Sequence, residues 1–325
     1  MGYFDHTRYV ELTIHFRCNL KCKHCMILET MHHLDPATDE QFQSLLLENR
    51  PDADGHTKWD GLILTGSEAT LRRDLPDLAK QAKDAGFKHI RIQTHGMRLA
   101  DASYCQTLVD AGIDEFFVSV TADTEELHDR ITEVPGSFRK TIQGLENLDA
   151  IGNVRLITNT VVTQLSYQSL PRLVQRLRPL KHLVEMNFWN YWPMREVDDT
   201  GLLVSHLEVA PYLRAAIRAA VDAGRAVEVK NFPECLLGSE RFALLNEQPE
   251  LRIDPRFWTQ FNRNGFNQCV YREVCSSKQC LGINTAYANQ FGWHEDVLRP
   301  LTRTAASSPT VYLPVHTPAY ANPSA

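Results

Sequence analysis

The chain begins with a segment that alternates strictly between polar and apolar side chains over residues 8–16. Because successive side chains of a β-strand point to opposite faces, this pattern predicts a strand with one apolar face. The opposite face carries Glu11, Thr13 and His15. A cysteine-rich segment follows at once, so the predicted strand presents that segment at its C-terminal end.

Short apolar runs then alternate with longer stretches whose apolar residues have helical spacing. The runs predicted to be strands cover residues 61–65, 89–94, 115–120, 154–162 and 183–188. The patterns between and after them predict helices that begin near Asp74, Asp101, Ser137 and Leu170, and a longer helix that carries Leu213, Ile217 and Val221. Strands that alternate with helices in this way favour a parallel sheet with crossover helices, as a barrel or as an open doubly wound sheet.

Composition narrows the class of protein without indicating a reaction. The 325 residues include 43% hydrophobic and 23% charged side chains, which is ordinary for a globular protein large enough to bury a substantial core. The net charge of −6 argues against a surface devoted to nucleic acid. Apolar runs are too short for a membrane span and the N-terminus lacks a secretory signal, so we expect a cytoplasmic protein without a membrane partner.

Eight cysteines are the unusual feature of this composition. Disulfide frameworks are rare in a reducing cytoplasm, where clustered thiolates more often bind zinc or iron–sulfur centres. The cysteines divide into a group of three, a group of four and one alone, namely Cys18, Cys22 and Cys25, then Cys235, Cys269, Cys275 and Cys280, and finally Cys105. Cys105 lies on the apolar face of a predicted helix, and we expect it to be a buried core thiol.

The first group offers three thiolates in one short loop with the spacing C-x3-C-x2-C, with His24 before the last cysteine. A structural zinc site normally has four ligands, so zinc would need His24 or a remote residue as the fourth. Three cysteines can instead hold three irons of a [4Fe–4S] cluster and leave the fourth iron without a protein ligand.

This loop resembles the signature loop of the radical S-adenosylmethionine (SAM) enzymes. The resemblance implies a partial (β/α)6 barrel, open at one side, with the cysteine loop at the end of its first strand. It also implies that Cys18, Cys22 and Cys25 bind a [4Fe–4S] cluster whose open iron is chelated by SAM. In that family, reductive cleavage of SAM produces a 5′-deoxyadenosyl radical that abstracts hydrogen from an unactivated carbon.

A second motif follows the second predicted strand. Residues 65–70, Thr-Gly-Ser-Glu-Ala-Thr, resemble the family's Gly-Gly-Glu-Pro-like turn, which binds the amino group of SAM. Ser67 replaces the second glycine and Ala69 the proline, and neither change removes a backbone carbonyl. Gly66, Ser67 and Glu68 are therefore candidate SAM contacts, although an ordinary strand-to-helix turn remains the alternative.

Other SAM contacts are suggested by single residues at strand ends. Thr94, followed by His95 and Gly96, resembles the family's Thr-Asn-Gly turn. Ser119 is at the place where a polar side chain often meets the SAM ribose or carboxylate, and Asn159 is a candidate for the adenosine side. A satisfied polar group at a strand end explains each of these residues equally well.

The four later cysteines follow an alternating segment, residues 226–232, which predicts a strand in a hairpin before Cys235. Four thiolates suit a second [4Fe–4S] cluster, and the region resembles the small Twitch or SPASM auxiliary-cluster extensions in ligand count. A zinc site with four thiolates and a cluster with three protein ligands are the alternatives. We expect a barrel domain over residues 1–224, an auxiliary-cluster domain over 225–300 and a flexible tail over 301–325.

A fully ligated second cluster is best explained as an electron acceptor, which favours net oxidation of a small molecule, by dehydrogenation or bond formation. His15, Asn190 and Tyr191 are candidate catalytic residues at the rim, and we expect a flavodoxin or ferredoxin as reductant. We expect no built-in leader-binding module before the first strand, which mildly favours a small substrate, since a separate protein could still hold a leader peptide. The alternatives are a radical SAM peptide maturase, transfer of an aminocarboxypropyl group from SAM, and a zinc-stabilised binding protein without catalysis.

Overall fold

The fold is built on one parallel sheet. A computed structural model describes residues 3–27, 33–265 and 268–302. Within them, eight strands pair in the order β7-β6-β5-β4-β3-β2-β1-β8, and every pair is parallel. The strands are β1 (Tyr9–His15), β2 (Gly61–Gly66), β3 (His89–Thr94), β4 (Glu115–Ser119), β5 (Arg155–Val162), β6 (Leu183–Asn190), β7 (Ala226–Lys230) and β8 (Glu250–Arg252).

Most of the helices connect the strands and cover one face of the sheet. They are α1 (Asp39–Glu48), α2 (Leu75–Asp84), α3 (Ala102–Asp110), α4 (Glu125–Thr132), α5 (Ser137–Ile151), α6 (Leu170–Leu177), α7 (His206–Asp222), α8 (Glu234–Leu237), α9 (Arg256–Phe261) and α10 (Thr285–Phe291). The predicted partial (β/α)6 barrel is confirmed, because six strand-and-helix units run from β1 to α7. None of the described helices is both long and apolar enough to cross a membrane.

Two of the predicted helix starts have a different local chemistry. Asp74 precedes α2, but its carboxylate accepts hydrogen bonds from the Arg72 guanidinium instead of capping the helix. Ser137 is the first residue of α5 and not its cap, and its hydroxyl donates to Asp129 at 2.7 Å. A serine before a helical pattern indicates a helix start, but the hydrogen-bond partner depends on which chain segment packs beside it.

The helix-facing side of the sheet forms the main core. Alternate residues of the strands, such as Val10, Leu12 and Ile14 of β1, pack against the apolar faces of the helices. Full burial of a side chain of this size contributes roughly 1.5–3 kcal/mol. Cys105 belongs to this core as expected, and its thiol donates to the carbonyl of Leu99 at 3.0 Å.

The other side of the sheet is the inner face of the half-barrel, which we call the lumen. Its floor is a separate apolar cluster that contains Phe4, Tyr9, Ile63, Phe117 and Ile157. Tyr9 also donates to buried Glu115 at 2.8 Å, and Arg91 pairs with the same carboxylate at 2.8 Å. Tyr9, Ile63, Phe117 and Ile157 belong to β1, β2, β4 and β5, so the lumen is apolar at their level.

Both edge strands come from the C-terminal part of the chain. The segment predicted to form a hairpin is instead β7, which pairs in parallel with β6, and β8 pairs in parallel with β1. The predicted hairpin was wrong because an alternating polar and apolar pattern predicts a strand but does not indicate the strand with which it pairs. Val227 and Val229 bury against the same core as the preceding strands. The division at residue 225 stays a prediction, and most of the predicted tail, residues 303–325, lies outside the described residues.

Candidate active site

The cysteine loop leaves the C-terminal end of β1 at the rim of the lumen. Two backbone hydrogen bonds attach it to the end of α4, from Lys21 N to the carbonyl of Thr132 at 3.1 Å and from Lys23 N to Ile131 at 2.9 Å. The Lys23 ammonium also pairs with Glu133 at 2.7 Å. These contacts hold the half of the loop that contains Cys22 against the neighbouring helix.

The three cysteines of the loop are half-buried. Burial raises the pKa of Cys18 to about 11 and also raises that of Cys22, while the backbone N–H of Leu20 donates to the Cys18 sulfur at 3.3 Å. A metal centre must therefore displace protons from these thiols when it binds. Burial lowers the pKa of His24 to about 4, so its ring is neutral near pH 7. Its Nδ1 is buried without a hydrogen-bond partner in the described part of the chain.

The turn after β2 packs directly against the start of the cysteine loop. Gly66 has a φ of 148°, and the backbone N–H of Ser67 donates to the carbonyl of His15 at 2.9 Å. The hydroxyl of Ser67 is buried, and no described residue hydrogen-bonds to it. An unsatisfied buried hydroxyl is costly, so this atom marks a position where a polar ligand group fits.

Glu68 ties this turn to the end of β3. Its fully buried carboxylate accepts hydrogen bonds from Thr70 N at 3.0 Å, Thr94 Oγ1 at 2.6 Å and His95 N at 2.8 Å. The side chains of Glu68 and Thr94 are thus hydrogen-bonded to each other, which leaves the backbone of the turn and the Ser67 hydroxyl to contact a ligand. Whether these residues touch SAM stays a prediction.

A row of polar side chains crosses the inner face of four neighbouring strands. The sheet register places Ser119 beside Asn159, Asn159 beside Asn187, and Asn187 beside Glu228. The side-chain oxygens of Asn159 and Asn187 are buried and have no hydrogen-bond partner among the described residues. Two sequence candidates, Ser119 and Asn159, are therefore adjacent, and Asn187 extends their row.

Glu11 lies lower on the inner face of β1. Its carboxylate accepts a hydrogen bond from the Gln93 amide at 3.1 Å, and Gln93 in turn accepts from the Thr65 hydroxyl at 2.7 Å. Burial raises the pKa of Glu11 to about 7, although Lys230 and the Gln93 hydrogen bond pull it down. Lys230 is itself paired with Glu228 at 3.0 Å. Glu11 is thus a lumenal carboxyl group that changes charge near neutral pH.

The three candidate catalytic residues occupy different environments. His15 is at the rim, where burial lowers its pKa and its Nε2 has no hydrogen-bond partner among the described residues. Asn190 faces the helices instead, where its amide lies 2.9 Å from Nε2 of buried His206. Tyr191 packs with Leu202 and Leu203 beyond the end of β6.

The predicted catalytic residues did not include Asn187 and Trp189, the lumenal residues of this same strand. Trp189 contacts Phe117 of the floor, and its indole N–H is buried without a hydrogen-bond partner in the described residues. The signal that identifies them is the period of two along β6, because Met186 and Phe188 belong to the main core.

The four C-terminal cysteines converge on one small cavity. Backbone N–H groups of Glu234 and Gly282 point at the Cys280 sulfur, at 3.5 and 3.3 Å, and Leu301 N points at the Cys275 sulfur at 3.4 Å. Burial raises the pKa of Cys280 to about 11 and also raises that of Cys235. The chain thus brings together four thiols that are more than 40 residues apart at the extremes.

The spacing of the sulfurs can be compared with that of a zinc site. A tetrahedral zinc ion with Zn–S bonds of about 2.3 Å places its sulfurs about 3.8 Å apart. Among the described residues, the trios of ligand atoms within 4.8 Å of one another are Asp52, Asp54 and His56, and His89, Asp114 and Glu115, and neither includes a cysteine. In the described part of the chain, no three thiols of either cysteine group therefore lie within 4.8 Å of one another.

Comparison with curated proteins gives relatives that share part of the chain. A probable GTP 3′,8-cyclase from Methanopyrus kandleri is 30% identical over 177 residues, which cover 54% of this chain and 54% of the relative. An AdoMet-dependent heme synthase from Oleidesulfovibrio alaskensis is 29% identical over 150 residues, which cover 45% of this chain and 36% of the relative. The matches thus span about half of these relatives or less.

Solved structures show the same fold at low identity. SuiB from Streptococcus suis bound to its precursor peptide SuiA has a TM-score of 0.54 at 16% identity, over 67% of this chain and 47% of that one. Native anSMEcpe with bound AdoMet has a TM-score of 0.53 at 15% identity, over 68% and 64%. The family model of the radical SAM superfamily matches residues 12–177, just over half of the chain. The chain therefore belongs to the radical SAM superfamily, whose cofactors are SAM and a [4Fe–4S] cluster.

Proposed function

We propose that the protein is a radical SAM enzyme that oxidises a small molecule and uses a second [4Fe–4S] cluster as electron acceptor. The observation that carries this proposal is the convergence of Cys235, Cys269, Cys275 and Cys280 on one cavity. A site with four protein thiolates has no open iron for a ligand, so its use is electron transfer.

The SAM site is proposed to lie at the rim between the cysteine loop and the inner face. Cys18, Cys22 and Cys25 would hold the first cluster, and the turn at Gly66 and Ser67 would accept the SAM amino group. Ser119, Asn159 and Thr94 would face the rest of the cofactor. When bound, SAM and the first [4Fe–4S] cluster supply a 5′-deoxyadenosyl radical. The buried, unsatisfied atoms Ser67 Oγ and Asn159 Oδ1 support the assignment, because a polar ligand would satisfy both.

The second site is proposed to be a cluster and not zinc. Four thiols line one cavity, and backbone N–H groups point at the sulfurs of two of them, Cys275 and Cys280. Hydrogen bonds to cysteine sulfur tune the reduction potential of iron–sulfur clusters. Residues 225–300 would then contribute both the cluster ligands and the edge strands β7 and β8, and an external flavodoxin or ferredoxin would supply the first electron.

The lumen is proposed to bind the substrate above the apolar floor. Oxidation of a C–OH or C–NH group removes a hydrogen atom, a further electron and a proton. The hydrogen atom goes to the radical, the electron to the second cluster, and the proton needs a base in the lumen. Glu11 suits this role because its pKa of about 7 lies near the working pH. Asn187 and Trp189 would orient the substrate from β6.

A peptide substrate is the second candidate. It is favoured by the structural similarity to SuiB, which was solved with a precursor peptide. The open side of the half-barrel offers an approach for an extended chain.

Transfer of an aminocarboxypropyl group from SAM is a further alternative. It would produce methylthioadenosine from SAM in place of deoxyadenosine.

Anaerobic reconstitution followed by iron, sulfide and zinc analysis tests the metal content. Two clusters require about eight irons with matching sulfide, whereas one cluster requires about four. Zinc without iron would refute the proposal in favour of a zinc-stabilised binding protein. Identification of the SAM product after reduction, and transfer of deuterium into it from labelled small molecules or peptides, then separates the remaining reactions.

A further inference from the structure

His95 lies between the turn after β2 and the cysteine loop. Its Nε2 is 2.7 Å from the side-chain oxygen of Asn19, in the loop, and 3.1 Å from the carboxylate of Glu68, in the turn. Its backbone N–H also donates to Glu68 at 2.8 Å. One buried imidazole therefore contacts both segments that are proposed to hold SAM.

The tautomer of His95 follows from its other nitrogen. The backbone N–H of Met97 donates to Nδ1 at 3.2 Å, so Nδ1 is an acceptor and the ring proton is on Nε2. Nε2–H is then a donor, and it is aimed at the Asn19 oxygen and the Glu68 carboxylate. Thr70 and Thr94 also donate hydrogen bonds to Glu68 and fix its carboxylate. The imidazole contacts this fixed carboxylate and the loop, so it restrains the loop relative to the turn.

The contact at Asn19 complements the attachment of the loop to α4. Backbone bonds at Lys21 and Lys23 hold the second half of the loop, whereas Asn19 follows Cys18 directly in the first half. The two attachments thus restrain the loop at both ends. Without His95, the first half could shift relative to the turn at Gly66 and Ser67.

We propose that His95 is a positioning residue that sets the distance between the cysteine loop and the turn after β2. The proposal rests on the assignment of Gly66 and Ser67 to the SAM amino group. SAM has to engage the open iron and the turn at the same time, so an error in their spacing weakens its binding. Asn19 accepts this hydrogen bond through its side-chain oxygen.

The test uses the full chain, reconstituted with iron and sulfide, and SAM as the probe. The variants are His95→Ala, Asn19→Ala and His95→Gln, with His56→Ala at an exposed loop as the control. We measure deoxyadenosine formation with dithionite against SAM concentration. In the first two variants the half-saturating SAM concentration should rise ~10-fold or more, while the maximal rate changes less. His95→Gln, which keeps a donor and an acceptor, should restore most of the affinity.

An independent readout is the electron paramagnetic resonance spectrum of the reduced SAM-binding cluster. The SAM concentration that alters this spectrum should rise in parallel in His95→Ala and Asn19→Ala. Asn19 is exposed, so Asn19→Ala removes the contact without a folding defect. An unchanged SAM dependence in both variants overturns the inference, and so does a fall in maximal rate alone. Absence of deoxyadenosine from the wild-type enzyme would instead contradict the proposed function, and the spectra would still decide the role of His95.

Discussion

A Cβ atom placed on Gly66 would lie 1.9 Å from the carbonyl oxygen of His15. Real Cβ contacts do not occur at this distance, and the glycine also has a φ of 148°, which other residues rarely adopt. The two strands that present the cysteine loop and the neighbouring turn can approach each other this closely only with glycine at this position.

Gly66→Ala should therefore separate the turn from the loop. We expect a loss of about 2–4 kcal/mol in the free energy of unfolding, together with loss of SAM cleavage. The measurement is urea denaturation with a deoxyadenosine assay. Gly55→Ala is the matched control, since Gly55 has a φ of 81° but a Cβ atom placed on it would meet no atom within 4 Å. Equal losses of stability and SAM cleavage in both variants would mean that the positive φ causes them and that the close approach of Gly66 to His15 does not.

The two cysteine groups should be separable by single substitutions. Cys22→Ala should abolish deoxyadenosine formation and leave about four irons per chain, whereas Cys275→Ala should retain SAM cleavage and lose a similar amount of iron. Cys105→Ala is the control and should keep both clusters, since its thiol is buried in the main core. Full iron content in Cys275→Ala would exclude that residue as a ligand.

The lumenal carboxyl group should make stability depend on pH. Because burial raises the folded-state pKa of Glu11 from 4.5 to about 7, the folded protein holds a proton that the unfolded chain releases between these pH values. The wild type therefore loses stability as the pH rises through this window, by up to about 3 kcal/mol. Glu11→Gln removes the group, so its stability relative to wild type should increase from pH 4.5 to about 8.

Urea denaturation at several pH values checks this difference. Glu126→Gln, at an exposed carboxylate, is the control and should follow the wild type throughout. If the difference in unfolding free energy between Glu11→Gln and wild type were constant across the pH range, Glu11 would be solvated and would lack the raised pKa expected of a general base.

Two asparagines on one strand provide a matched pair. Asn190→Ala removes the partner of buried His206, so it should cost about 1–3 kcal/mol more in unfolding free energy than Asn187→Ala. The oxygen of Asn187 has no hydrogen-bond partner among the described residues, so its removal leaves no group unsatisfied. Chemical denaturation measures both in the same protein. If Asn187→Ala cost more unfolding free energy than Asn190→Ala, Asn187 would belong to the structural hydrogen-bond network and Asn190 to the site.

Local patterns predicted most of the strands to within two residues, because their apolar runs are short and bounded. The same patterns did not separate a barrel from an open sheet, and they assigned residues 226–232 to a hairpin. The strand with which β7 pairs depends on where Val227 and Val229 are buried. They are buried in the main core, which is formed by segments distant in the sequence. At the site, Asn190 and Tyr191 were chosen as candidates and Asn187 and Trp189 were not, although strand parity places Asn190 on the opposite face from Asn187 and Trp189, and Tyr191 lies beyond the end of β6.

The sequence by itself determined the family resemblance and predicted the cluster site, since ligand type and spacing lie within a few residues at Cys18, Cys22 and Cys25. Only the tertiary structure decided what surrounds them. The contact between His95 and Asn19 joins residues 76 positions apart, and the pKa of Glu11 depends on Lys230 from the far edge of the sheet. Such contacts and their electrostatic effects arise when the chain folds, because burial and charge are properties of neighbours in space and not along the chain.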